Sequence, residues 1–314
     1  MMTVMDDASR AVLALTNRLV DVGVAPLKAA ELWRLLDEVQ DPSQLVGRSA
    51  AQLTGDLDLP LDDGERIAAL LDSGMTLAVR LDALRERGVW ALTAFDADYP
   101  HHLRDRLGAS APPVFYGAGD AKLLGSSGIG IVGSRDVTEE GAEVARSAAR
   151  AATRRGRTVV SGGAPGVDQL AASAATEAGG RAVEVLADSL EHAITRAATR
   201  RAAIDGQLCL CTPYRPDAGF DMVRAMGRNK IIYGLGRVTL VVATAKEGGG
   251  TWAGAKEALD RGYGSVAVWR GIGEGAGNEA IQHAGAIGIT EITELDELLD
   301  GAHARHEDPT PGRR

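Results

Sequence analysis

Aromatic side chains are scarce in this chain: its 314 residues include three Phe, five Tyr and four Trp. A core must therefore be assembled mainly from Ala, Val, Leu and Ile. Cysteine is rarer still, with only Cys209 and Cys211 in "QLCLCTPY". Two apart on a strand, they point to one face in a geometry unsuited to a disulfide. They read as small hydrophobes in a buried strand, and no further ligands stand nearby to complete a metal site. No window approaches 18 consecutive apolar residues, so no membrane contact is expected. The opening "MMTVMDDASRAVLALTNRLV" has an early acidic pair and no unbroken apolar core. It fits neither a signal peptide nor an anchor, and the cytoplasm is the expected location. Positive charge is also in deficit, the net being −9, which excludes indiscriminate phosphate binding. The deficit is uneven. Residues 196–237 carry Arg196, Arg200, Arg201, Arg215, Arg224, Arg228, Lys230 and Arg237 against Asp205, Asp217 and Asp221. That stretch is compatible with one confined anionic site.

What is present falls into three parts. Residues 1–88 read as an N-terminal helical domain. "SRAVLALTNRLVDVGV" places Val12, Leu15, Leu19 and Val22 on one helical face. "PLKAAELWRLLDEV" and "DDGERIAALLDSGMTLAVRLDALRERG" repeat the pattern, with Pro26 and Gly64 as expected boundaries. Residues 89–300 form the second part, led over 89–127 by a strand at Val89–Thr93, a "DADYP" turn, a short helix and a stiff Pro112–Pro113 connector into a strand at Val114–Tyr116. Then come "IGIV" (129–132), "TVVS" (158–161), "AVEVL" (182–186), "LCLC" (208–211), "VTLVVA" (238–243) and "SVAVW" (265–269), separated by helices. Near-continuous apolar strands alternating with helices predict an α/β fold: a Rossmann-like, doubly wound, mostly parallel sheet covered on both faces. The third part, residues 301–314, is polar and reads as a disordered tail.

"GSSGIGIVGSRD" contains G-x-G-x-x-G at Gly128, Gly130 and Gly133. A dinucleotide fingerprint needs its glycines after the strand, in the turn that opens the helix. Here Gly128 precedes the strand and Gly130 lies within it. The second strand ends in Ser161 and Gly162, with no carboxylate for a ribose. No nicotinamide or other cofactor is expected.

The strand ends carry a different message. The first runs into Gly133, Ser134 and Arg135 before a helix that Thr138 can cap. The second runs into Ser161, Gly162, Gly163 and Gly166 before another helix. The fifth runs into "EGGGTWAGAKEAL", with Gly249 and Gly250 ahead of Thr251. In an open parallel sheet these ends share one edge, where backbone N–H groups and helix starts favour an anion. Arg135 adds a planar fork for phosphate. Arg228, Asn229 and Lys230 in "GRNKIIYGL" are expected on the first turn of a helix, where cations oppose the dipole unless an anion is near. Tyr214 and Phe220 precede them as open choices for base stacking. Trp252 reads as core or site alike.

Together these segments resemble the DprA/Smf family of DNA-processing proteins, within a superfamily that includes the Lonely Guy enzymes. The resemblance is carried by "ALTAFDADYPHHLRD", "PPVFYGAGD", "IGIVGSRDVTEEG", "VVSGGAPGVDQLAASAATEAGGRAVEVL", "GRNKIIYGL" and "GNEAIQHAGAIGI", in family order over roughly residues 8–290. It implies a SAM-like N-terminal module and a positive pocket for single-stranded DNA. Gly133, Ser134 and Arg135 would touch phosphate there, with Arg228 and Lys230 extending the pocket. It further implies protection of the strand, loading of a RecA-type recombinase, a homodimer and no catalytic step. The chain departs from the pattern at Pro165, at Ala172 where the family has His, and at Lys230 where it has Arg. No winged-helix module is expected after residue 300. These departures suggest a divergent paralogue, with phage defence or plasmid control as alternatives to transformation. Two other readings stay open: a nucleotide-binding sensor, and a Lonely Guy-like phosphoribohydrolase. Against the second, Gly254 stands where those enzymes carry glutamate, and Glu257 lies one turn on.

Overall fold

In the computed structural model, residues 5–304 are described apart from residues 17 and 127. Five helices come first: α1 (Asp7–Leu15), α2 (Ala29–Glu38), α3 (Ala50–Asp56), α4 (Leu61–Asp72) and α5 (Gly74–Glu86). Asp6 caps α1 by accepting the Ser9 N–H at 2.7 Å. The helix stops at Leu15, where the Thr16 hydroxyl turns back to donate to the Val12 carbonyl at 2.7 Å. The expected continuous face through Leu19 and Val22 therefore breaks, although both still pack on the same core. Gly64 is not a boundary. It lies inside α4 against α3, where a Cβ would stand 2.2 Å from Thr54 Oγ1.

The remaining elements are β1 (Trp90–Thr93), α6 (His101–Leu107), β2 (Val114–Gly119), β3 (Gly128–Val132), α7 (Glu139–Arg154), β4 (Thr158–Ser161), α8 (Val167–Glu177), β5 (Ala182–Val185), α9 (Leu190–Ala193), α10 (Ala197–Ile204), β6 (Leu208–Thr212), α11 (Met222–Leu235), β7 (Gly236–Val241), α12 (Gly249–Arg261), β8 (Ser265–Trp269), α13 (Asn278–His283), β9 (Ile287–Ile289) and α14 (Glu294–Ala304). α14 takes the first residues of the segment read as a tail; residues 305–314 lie outside the described residues.

All nine strands join one sheet in the order β1-β2-β6-β5-β4-β3-β7-β8-β9. From β6 to β9 every pairing is parallel, while β1 with β2 and β2 with β6 are antiparallel. Alternation feeds two cores. Ile129, Ile131, Leu208 and Leu210 pack on one face; Val132, Val160, Cys209 and Cys211 pack on the other. The two cysteines thus share a face and are free and buried. With few aromatics available, α7 and α8 close on each other through Ala145, Ala148, Ala149, Ala171 and Ala175, all fully buried. The helical region is stitched to the sheet by the Ser9 and Thr93 hydroxyls, 2.8 Å apart, and by the Trp33 indole donating to the Ala111 carbonyl at 2.8 Å.

Candidate functional site

Strand order reverses between β3 and β7, so the chain leaves these neighbours in opposite directions and a crevice opens at their C-terminal ends. A cavity of about 440 Å³ occupies it. Gly133, Ser134, Arg135, Arg228, Asn229, Gly249, Gly250 and Thr251 all line this cavity, as expected of one shared edge.

Most are held by local bonds. Ser134 donates its N–H to the Ala243 carbonyl at 2.8 Å and its hydroxyl to the same oxygen at 3.2 Å. Thr251 Oγ1 donates to the Gly133 carbonyl at 3.0 Å, and Asn229 Nδ2 donates to the Gly250 carbonyl at 2.9 Å. These side chains set the turns against one another. Arg135 is different: it is exposed, forms no ion pair among the described residues, and lays its guanidinium 5.3 Å from the Phe220 ring centroid. Phe220 is itself 53% exposed, whereas Tyr214 is half-buried and donates to the Arg224 carbonyl at 2.9 Å. Trp252 packs part-buried against the core.

Five expected site residues stand elsewhere. Ser161 is wholly buried, its hydroxyl donating to the Ile131 carbonyl at 2.6 Å. Gly162 donates its N–H to Asp168 Oδ2 at 3.1 Å. Gly163 faces the Glu184 side chain. Gly166, at φ +86°, lets α8 start tight under the first turn; a Cβ there would sit 2.4 Å from the Ser134 and Arg135 carbonyl oxygens. Lys230 lines a separate cavity on the other side of α11.

Gly162 is turned away from the cavity by Asp168, which sequence reasoning passed over. Its carboxylate accepts the Gly162 N–H at 3.1 Å, lies near enough to the Gly133 and Ala164 N–H groups for them to act on it, and stands 3.9 Å from the Arg228 guanidinium. An internal anion therefore fills the amide cradle under the β3 and β4 turns. Burial pushes the Asp168 carboxyl up, while Arg228 and those three N–H groups hold it down. Arg228 is only 6% exposed, and it lies in mid-helix because α11 begins at Met222 rather than at Arg228. Asp221 starts that helix, accepting from the Val223 and Arg224 N–H groups at 2.8 and 3.1 Å. No dipole penalty at Arg228 needs an external anion. The cavity wall thus holds two arginines, Arg135 and Arg228, against two acids, Asp136 and Asp168. The implied excess of positive charge is not there.

Nor does the basic stretch converge. Arg215 pairs with Asp217 at 2.7 Å, Arg224 donates to the Gly219 carbonyl at 2.7 Å, and Arg200 lines a third cavity. Two polar atoms of the main cavity's residues lack partners among the described residues: Arg228 Nε and Tyr233 Oη. Tyr233 was also missed, though Met222, Met226, Asn229 and Tyr233 fall on one face once α11 is correctly bounded. Glu257 accepts from the Tyr263 hydroxyl at 3.1 Å and does not line the cavity. A side chain at Gly254 would stand 3.1 Å from Asn229 Cβ, so a glutamate is not accommodated there without a shift. The arrangement suits gripping an anion through Arg135 better than acid–base chemistry.

Comparison with known proteins bears on the family and the fold. The family model described as DNA recombination-mediator protein A matches residues 90–300. DNA processing protein DprA of Bacillus subtilis is 31% identical over 190 residues, or 60% of this chain and 63% of the relative. The chain therefore spans less than two thirds of that relative's length. DprA of Streptococcus pneumoniae shares the fold at TM-score 0.62 and 20% identity, over 86% of this chain and 98% of its own. DNA processing protein A of Helicobacter pylori, a structure concerned with that protein's single-stranded DNA binding mode, gives 0.56 at 24% identity, over 67% and 96%. No helix among the described residues is long and apolar enough to cross a membrane.

Proposed function

Given that this chain belongs to the DNA recombination-mediator protein A family, we propose that it binds single-stranded DNA at the cavity between β3 and β7. In this reading it shields the strand and passes it to a RecA-type recombinase, as a cytoplasmic homodimer and without catalysing a reaction. The observation that carries the reading is Arg135, an exposed guanidinium free of ion pairs at a topological switch point. Around it lie the turns at Gly133–Ser134 and Gly249–Thr251. Arg228, its charge matched by Asp168, shapes the wall and does not compete for an outside phosphate.

Equilibrium binding of oligo-dT against salt tests this. Arg135→Ala is expected to weaken binding roughly tenfold or more and to lower the salt slope by about 0.7, one phosphate contact on a single strand. Wild-type behaviour of that variant removes the site assignment. Incubation with AMP distinguishes the enzymatic alternative: no adenine is expected, and its release would replace the reading with nucleotide hydrolysis.

A further inference from the structure

The second cavity, about 260 Å³, lies where the helical region meets α11 and the connector into β2. We propose that it is a second phosphate subsite, seated by Arg18 and Lys230, for the backbone of the same strand that enters the main cavity. The proposal rests on the function proposed above.

Charge sets this cavity apart. Not one Asp or Glu among the described residues lines it, although the chain carries a net charge of −9. Neither Arg18 nor Lys230 forms an ion pair among the described residues, so both charges are available. The main cavity, by contrast, has two acids in its wall, Asp136 and Asp168. A further observation points to a ligand. Tyr116 lines the cavity at 4% exposure, and its hydroxyl has no hydrogen-bond partner among the described residues. Its oxygen is not sealed off from the cavity, so it can donate to an acceptor that enters there. A phosphate oxygen is such an acceptor. The positive field of Arg18 reaches both Tyr116 and Tyr214, opposing the upward push of burial on their phenols.

The two cavities are neighbours across one helix. Met226 and Asn229 of α11 face the first; Gly227 and Lys230 face the second. Gly227 lies beneath the Tyr214 hydroxyl, where a Cβ would stand 2.9 Å from it. A helix is only about 10 Å across, so a strand of a few nucleotides bridges the two seats. Arg18 belongs to the N-terminal region, which gives that region a part in holding DNA.

Fluorescence anisotropy with two oligo-dT lengths decides it. A strand of about six nucleotides covers little beyond one seat, and one of about thirty reaches both. For the Arg18→Ala/Lys230→Ala double variant, binding of the long strand is expected to weaken about tenfold, with the salt slope lowered by about 1.4. Binding of the short strand is expected to stay unchanged. Tyr116→Phe removes the hydroxyl and keeps the packing, so it should weaken the long strand alone. An unchanged melting temperature shows that the double variant folds. Equal losses at both lengths, or none at either, overturn the subsite. Arg135→Ala is the separate control: if it binds both lengths as wild type while the double variant loses the long one, the main-cavity reading fails and the subsite stands.

Discussion

Arg228 and Asp168 lie 3.9 Å apart with side chains 7% and 8% exposed, and neither has bulk water to fall back on. Removing one partner of such a pair leaves the other charge buried alone, at a cost of about 3–5 kcal/mol. Asp168→Ala is expected to lower the urea midpoint accordingly; a midpoint within error of wild type would show that the pair is dispensable. Glu184, close behind, is pushed up to about 7, first by burial and then by the negative charge of Asp168. Between its ordinary 4.5 and that value the folded chain keeps a proton that the unfolded chain has released. Stability should therefore fall as pH rises through this window, by up to about 1.4 kcal/mol per unit. Glu184→Gln should flatten that stretch of the pH–stability curve, measured by urea melts at several pH values. Arg135 was legible from sequence because a charged fork in a Gly-Ser turn at a strand end has few structural uses. The opposite holds for Asp168. An acid in the first turn of a helix is the ordinary complement to its dipole, and nothing local shows that an arginine 60 positions later closes on it.

α11 shows why the notion of a cationic first turn failed. Its start is written in "FDMVRAM", where Asp221 caps through two N–H groups. However, Gly227 interrupts the pattern and invites a boundary six residues late. α1 errs the other way: the apolar spacing runs on past Leu15, but the Thr16 hydroxyl diverts the chain. Glycines at strand ends were legible as tight turns but not as to what presses on them. Gly166 is the clearest case, with φ +86° and carbonyl oxygens on the side a Cβ would take. Gly166→Ala is expected to cost at least 1–3 kcal/mol from its backbone conformation alone. Because the displaced atoms are those of Ser134 and Arg135, the loss should appear in DNA affinity as well as in Tm. Loss of Tm with full affinity would separate the two.

At the scale of the whole molecule, the alternating strands and helices made the parallel sheet readable, since strands buried on both faces have little choice but continuous apolar runs. Pairing was not readable. β2 reaches β6 across almost a hundred residues, and β9 has only three residues, the middle one Gly288. Residues of α1, α4 and α5 share one apolar core with β3, β4 and β7. The helical region and the sheet are therefore expected to unfold together, with calorimetric and van't Hoff enthalpies equal. Two resolved transitions would show that residues 1–88 stand alone. The carboxylate already seated beneath the β3 and β4 turns has a last consequence. It braces those loops from inside, so that in the proposed binding they hold one shape before a strand arrives. Association should then cost little ordering entropy, and amide exchange in those loops should be nearly as slow in the empty protein as in the loaded one.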